Sequence, residues 1–148
     1  MAIKWELKSW EELTTNELYD LLALRAEVFV VEQNCPYQDC DGKDRKSMHL
    51  WAIDNDEIIA CLRICMPGVS YAEMSIGRVV VKEEHRGKAL GKVIMKKAIE
   101  WTQQKGEKAV RISAQCYLRK FYKTLGFEEV SEEYLEDGIP HVEMLLKN

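Results

Sequence analysis

The chain of 148 residues contains no run approaching the roughly 18 to 20 apolar residues that cross a bilayer. Its opening, Met1-Ala2-Ile3-Lys4-Trp5-Glu6, lacks the apolar core of a secretory signal. It also lacks excess positive charge. A formal charge of −4 argues against a nucleic-acid partner, which is held by a basic surface, and no membrane partner is expected. Cysteine is present without a framework: Cys35, Cys40, Cys61, Cys65 and Cys116 are odd in number and irregularly spaced. Reduced thiols and a cytoplasmic location are therefore expected. No metal is expected either, because the Cys35–Cys40 gap suits a zinc knuckle poorly and no second pair completes it. Asp39 to Asp44 lacks the ligand register of a calcium loop and reads as a solvated turn. With no repeat, linker or low-complexity tract, residues 1–148 read as one domain around one core.

What the sequence does contain is a regular alternation of elements. Ile3 to Leu7 alternates as a strand. Thr14 or Thr15 caps a helix with Leu18, Leu21, Leu22, Arg25 and Phe29 at helical spacing. Asn34 to Ser47 is polar and loop-like. His49 to Ile53 and Ile58 to Cys65 flank Asp54-Asn55-Asp56 as a hairpin. After Pro67-Gly68, Glu73 to Val81 forms a strand. Leu90, Val93, Ile94, Ala98 and Trp101 stripe a helix ending near Gly106. Ala109 to Ser113 is a strand, Tyr117 to Leu125 a short helix, and Phe127 to Val130 and Val142 to Leu146 a closing strand pair. The order predicts a mixed α/β (α+β) sheet, mostly antiparallel, with one parallel pair.

One stretch carries chemistry. Arg78 to Val81 is a β-branched strand, Lys82 to Ala89 a basic turn, and Leu90 opens a helix. Free N–H groups and a helix dipole at a strand end bind phosphate. A Walker loop is excluded, since Gly87-Lys88-Ala89-Leu90-Gly91-Lys92 is one residue short and Val93 replaces the metal-binding Ser/Thr. A dinucleotide fingerprint is excluded because no Gly-x-Gly-x-x-Gly occurs.

Arg86-Gly87-Lys88-Ala89-Leu90-Gly91 instead resembles the Arg-x-x-Gly-x-Gly/Ala pyrophosphate loop of the GNAT superfamily of acetyl-CoA-dependent N-acetyltransferases, with Ala89 for the middle Gly. Gln115-Cys116-Tyr117-Leu118-Arg119-Lys120-Phe121-Tyr122-Lys123-Thr124-Leu125-Gly126-Phe127 resembles the family's Asn-x-x-Ala-x-x-Phe-Tyr-x-x-x-Gly-Phe element, with Gln115 and Leu118 in the Asn and Ala places. Val28 to Tyr37, Asp39 to Asp44, Ile76 to Val81 and Tyr134 to His141 are similar to stretches of the ElaA-like subgroup.

The resemblance implies a GNAT fold with a splayed parallel strand pair flanked by helices, and acetyl-CoA as co-substrate. Gly87, Lys88, Ala89, Leu90 and Gly91 would hold the pyrophosphate, with charge from Arg86, Lys88 and Lys92. Val79, Val80 and Val81 would pair with the pantetheine arm, and Gln115 and Tyr122 would border it. Gly77 suits a bulge that opens a slot for that arm. Tyr122 would protonate the leaving thiolate, with Tyr117 a weaker alternative. Glu73 is a candidate base, and His49, His141 or a water chain are others. Ser75 alternates with Glu73, and Ser75 and Arg78 are both expected at its cleft. Glu32, His49, Arg78 and His141 are expected at the acceptor side, where Glu32, Asp39, Asp41 and Asp44 favour a cationic amine. Cys116 lacks an evident His/Asp partner and reads as packing. The resulting expectation is transfer of acetyl to a primary amine, small or peptidic, by direct attack in a ternary complex. The alternative is a catalytically silent CoA-binding sensor. A homodimer through strand edges is left open.

Overall fold

The structure, a computed structural model, describes residues 2–148. Strands β1 (Lys4–Ser9), β2 (Ser47–Asp54), β3 (Glu57–Cys65) and β4 (Met74–Val81) pair in succession, each antiparallel to the last. Helix α1 (Thr15–Ala26), continued by a wider turn Glu27–Glu32, lies between β1 and β2. Helix α2 (Leu90–Gln104) then carries the chain to β5 (Ala109–Gln115), which runs parallel to β4. Helix α3 (Arg119–Thr124), β6 (Glu128–Glu129), β7 (Tyr134–Glu136) and β8 (Ile139–Lys147) complete a sheet of order β1-β2-β3-β4-β5-β8-β6, with β7 also on β8. This is the mixed, mostly antiparallel α/β fold that the element order predicts.

Local chemistry fixes the element ends. Thr14 accepts from the Glu17 N–H at 3.1 Å while Glu17 accepts from the Thr14 N–H at 2.9 Å, a reciprocal cap on α1. Asn55 and Asp56 adopt left-handed φ of 53° and 61°, so β2 and β3 join through a tight hairpin turn. Asp137 and Gly138 do the same between β7 and β8, with φ of 52° and 75°.

Side-chain alternation places the two long helices on opposite faces. Trp51, Cys61 and Val80 are cross-strand neighbours and pack against Leu21, Leu24 and Val28 of α1. On the other face, Leu50 opposite Leu62 and Ile64 opposite Ile76 pack with Ile94, Met95 and Ala98 of α2. Val110, Ile112 and Ala114 of β5 meet Leu146, Met144 and Val142 of β8 in that same core. The alternate residues, Arg111, Ser113 and Gln115 with Glu143 and His141, therefore give the remaining face of β5 and β8 a polar lining.

Two features open the sheet in its middle. β4 and β5 pair only at Met74–Val110 and Ser75–Arg111, and beyond these they part. In addition, Cys61 faces Val80 and Arg63 faces Gly77, so β4 carries one extra residue between these pairs. The left-handed residue of this bulge is Arg78, at φ 50°, one position after the expected Gly77. Arg78 tolerates the conformation because its side chain is held: Asp39 lies at 2.8 Å, and the guanidinium sits over the Phe29 and Tyr37 rings.

Candidate active site

The gap between β4 and β5 is a cavity of about 740 Å³. One wall is β4 from Ile76 to Val81, including Val79 and Val80. The far end is the loop of Arg86, Gly87 and Ala89, with Leu90, Gly91 and Lys92 of the first turn of α2. The other wall is Ile112, Ser113 and Gln115 of β5 with Tyr117, Leu118, Phe121 and Tyr122 after it, and Glu136 and His141 close one side. Lys88, between Gly87 and Ala89, is exposed and does not line the cavity.

The loop suits an anion. Gly87 has φ 81° and Ala89 has φ 59°, which turns the backbone sharply into α2. Ala89 stands at the cap of that helix and no side chain caps it. The N–H groups of the first turn thus remain for a ligand at the positive end of a helix of 15 residues. A β-carbon on Gly91 would meet Val81 and Phe121 only at ordinary contact, 3.8 and 3.9 Å, so Gly91 keeps the helix close to β4 without being sterically required.

Arg86 is differently employed from the expectation. Its guanidinium grips Glu32 at 2.6 and 2.8 Å, and its Nε donates to the Val81 carbonyl at 3.0 Å. The hydrogen bond from Arg86 holds the Glu32 carboxyl below its usual range. Glu32 does line the cavity, but as a latch between the end of α1 and the loop.

Tyr122 is buried in edge-to-face contact with Phe121 and Phe127 while bordering the cavity. Burial pushes its phenol up to about 12, so it stays protonated across any working pH. Tyr117 also borders the cavity but is largely exposed. Desolvation raises the Cys116 thiol, and Cys116 does not border the cavity.

Of the expected bases and acceptor residues, the structure brings Glu32, Arg78 and His141 to the cavity and leaves Glu73 and His49 out. Glu73 sits ahead of β4 and is clamped by Arg111 through two bonds of 3.1 Å, with Arg111 also bonded to Glu143 at 3.0 Å. That clamp lowers the Glu73 carboxyl, and Glu73 borders no cavity shared with Tyr122. Its placement as the base is thereby corrected. His49 lies on β2, away from the cleft, buried beside Trp10 and bonded to the Asp44 carbonyl at 2.9 Å. Burial lowers its pKa, so it is a neutral core residue and not an acceptor contact.

The acidic loop is also corrected. Asp39 and Asp44 are buried and Asp41 is partly so. Arg25 reaches Asp39 at 2.9 Å and Asp44 at 2.7 Å, and Arg63 reaches Asp41 at 2.6 Å and Asp44 at 3.1 Å. Three arginines, with Arg78, thus neutralise three aspartates. Burial would raise the Asp41 carboxyl, but the hydrogen bonds from Arg63 outweigh it and hold it well below the usual range. These carboxylates tie the loop to the sheet and offer no surplus negative charge to a cationic acceptor. Arg25, noted at helical spacing, was the sequence signal: a cation on the buried stripe of α1 requires carboxylate partners.

A second cavity of about 420 Å³ continues from the first across Gly77, Arg78, Ser113 and Glu136. Tyr37, Ser70, Tyr71, Ser75 and Asp137 line it, on the polar face of the sheet. Tyr71, Tyr134, Glu136 and Ser113 escape a reading of motifs alone. The Asp137-Gly138 hairpin signal would have placed β7 against β8 and brought two of them in. Among the described residues no three His, Cys, Asp or Glu side chains are grouped to hold a metal ion, and no helix is long and apolar enough to cross a membrane.

The model of an acetyltransferase (GNAT) domain matches residues 14–148. Protein ElaA of Escherichia coli (strain K12) is 44% identical over 145 residues, covering 96% of this chain and 95% of that protein. The crystal structure of E. coli ElaA superposes with a TM-score of 0.92, over 99% of this chain and 100% of that one. An acyl-CoA N-acyltransferase from Pseudomonas aeruginosa superposes with a TM-score of 0.93 at 41% identity, over 98% and 99% of the two chains. At 16% identity and a TM-score of 0.66, over 99% and 98% of the chains, a GNAT family acetyltransferase from Elizabethkingia anophelis, solved with acetyl-CoA bound, shares the fold.

Proposed function

The chain belongs to the acetyltransferase (GNAT) family, and from that premise we propose that it transfers an acetyl group from acetyl-CoA to a primary amine by direct attack in a ternary complex. The observation that carries the reading is the joining of an uncapped helix N-terminus, a free strand edge and a buried tyrosine around one cavity.

Each part suits one part of the substrate. The N–H groups at Gly87 to Gly91 suit the diphosphate, and each charge-assisted bond contributes about 1.5–3 kcal/mol. Lys92, which borders the cavity, adds positive charge. The edge of β4 from Gly77 to Val81, unpaired by β5, suits the two amides of the pantetheine arm as an added strand would. Gln115 stands opposite that edge. The thioester then lies toward Tyr122, whose proton meets the departing sulfur. No covalent enzyme intermediate is needed, and Cys116 has no activating partner for one.

The acceptor enters from the second cavity, over the polar face of β5 and β8. Its electrostatics are balanced by the Arg–Asp network, so the cavity selects by hydroxyl and carboxylate contacts from Tyr37, Tyr71 and Glu136. The test is thiol release from acetyl-CoA with spermidine, glucosamine and a lysine-containing peptide as acceptors. Amine-dependent release that falls in Tyr122→Phe is expected. CoA binding with no acetylated amine in any arm would instead make the protein a CoA-binding sensor.

A further inference from the structure

We infer that His141 is the general base of the reaction, backed by Glu136 and held in place by Tyr134; the inference rests on the acetyl-transfer reading above. His141 is buried, yet it borders the same cavity as Tyr122. The two approach that cavity from opposite faces of the sheet. Tyr122 belongs to the core beneath α2. His141 lies across from Gln115 on the polar face and lines the first cavity, and its neighbour Glu136 lines both cavities where they join. Acid and base thus flank the splay from the side of the leaving sulfur and the side of the entering amine.

The hydrogen bonds of the ring define its chemistry. Nδ1 lies 2.7 Å from the Ile139 carbonyl. A carbonyl only accepts, so Nδ1 carries the proton and Nε2 of the neutral ring keeps its lone pair. The Glu136 carboxylate lies 3.4 Å from Nε2, where it meets the positive charge once Nε2 is protonated. Tyr134 stacks on the ring with centroids 6.1 Å apart and 26° between planes. Its hydroxyl is bonded to Ser113 Oγ, which fixes the stacking ring in turn. The Ile139 carbonyl thus holds the nitrogen that does not take the proton, which orients the imidazole, while Glu136 answers the charge that forms at Nε2.

An ammonium acceptor gives one proton to Nε2 and becomes a neutral amine. Its lone pair forms the N–C bond as the carbonyl pair moves to oxygen. That pair returns as the C–S bond breaks, and sulfur takes the Tyr122 proton. The amide nitrogen sheds its extra proton through solvent, which restores Tyr122, and His141 releases its own proton to water. Products are the amide, CoA thiol and one proton.

The groups around His141 that bear on pH are Glu136 and Tyr134 of β7, Asp137 of the turn, the Arg111–Glu143 pair on β5 and β8, and Arg78 across the cleft. The test uses the full-length enzyme with acetyl-CoA and spermidine, glucosamine or the lysine peptide. In His141→Gln, kcat/KM for the amine falls about 10²- to 10⁴-fold at pH 7, CoA affinity is retained, and the acidic limb of the pH profile disappears. Added imidazole restores part of the rate. Glu136→Gln keeps the limb but lowers the rate less. On the wild type, ¹⁵N NMR of the imidazole reports the neutral Nδ1–H form, independently of turnover and of whether any variant folds. A wild type that uses Tyr122 while His141→Gln keeps rate and pH profile overturns the base assignment alone, as does an Nε2–H neutral ring. A wild type that acetylates no amine overturns the proposed reaction and this assignment together.

Discussion

At the scale of single residues, charge placement decides more than charge count. Arg86 and Glu32 form an exposed two-bond pair at the loop end of the cleft. Exposed pairs contribute about 0–1 kcal/mol, so a diphosphate can draw Arg86 away at small cost. Glu32→Gln should therefore leave CoA affinity unchanged or tighten it by up to about tenfold, as titration calorimetry would read. A large loss would mean that the latch itself builds the loop. The Arg25–Asp44–Arg63 contacts behave differently because they are buried. Asp44→Ala leaves two guanidinium groups short of a partner and should cost about 3–5 kcal/mol in urea unfolding; a loss under 1 kcal/mol would show that water repairs the gap.

The same residues set the acid response. Asp41 and Asp44 have folded pKa values below the unfolded ones, near 3.9 for an aspartate. Their stabilisation is complete above the unfolded value and is lost as pH falls through the folded ones. His49, also lowered, adds a loss that begins as pH drops below about 6.5, where the unfolded histidine gains its proton. Stability should thus decline in two stages on acidification, and His49→Leu should remove the earlier one if the site repacks. A single transition below pH 4 in the wild type would contradict this.

At the scale of elements, the turn into α2 is the part that motif and physics describe together. Gly87 sits at φ 81°, where a side chain is strained. Gly87→Glu adds that strain and a negative charge beside the expected diphosphate, and should weaken CoA binding at least 100-fold. Lys123→Ala, at an exposed pair with Glu129, should change it less than twofold. Equal effects would remove the loop assignment. The strands, the two long helices and this loop were legible in the sequence because each rests on local rules: alternation, a 3.6-residue stripe, a capping Thr14, a glycine turn. What was not legible depended on long-range pairing. Glu73 looked available until β5 brought Arg111 against it, and His49 looked titratable until α1 and the loop buried it. The bulge moved from Gly77 to Arg78 because Asp39, Phe29 and Tyr37, all distant in sequence, hold Arg78 in place. β7 was missed as a strand because it spans only Tyr134–Glu136, too short for alternation to register.

At the scale of the whole molecule, the fold is organised around an interruption. A sheet of this kind gains from continuous pairing, and this one gives that up between β4 and β5 after two residue pairs. The bulge, the uncapped α2 and the buried Tyr122 converge on the same opening, which is how a ligand-built slot differs from a packing fault. CoA should therefore stabilise the protein: at a hundred times its Kd the gain is about 2.7 kcal/mol, or roughly 5 to 11 °C in Tm for a chain of this size. ATP and NAD, which share the diphosphate but not the arm, should give much less. Equal shifts from all three would mean that the loop alone binds and the slot does not.

The central claim is that the slot between β4 and β5 is a CoA site with its diphosphate end at residues 87 to 91. A crystal structure of the protein with CoA tests it most directly. Diphosphate density against the first turn of α2, the arm along Val79 to Val81, and the sulfur between Tyr122 and His141 are the expected result. An empty slot at saturating CoA, or CoA seated elsewhere on the surface, would contradict it.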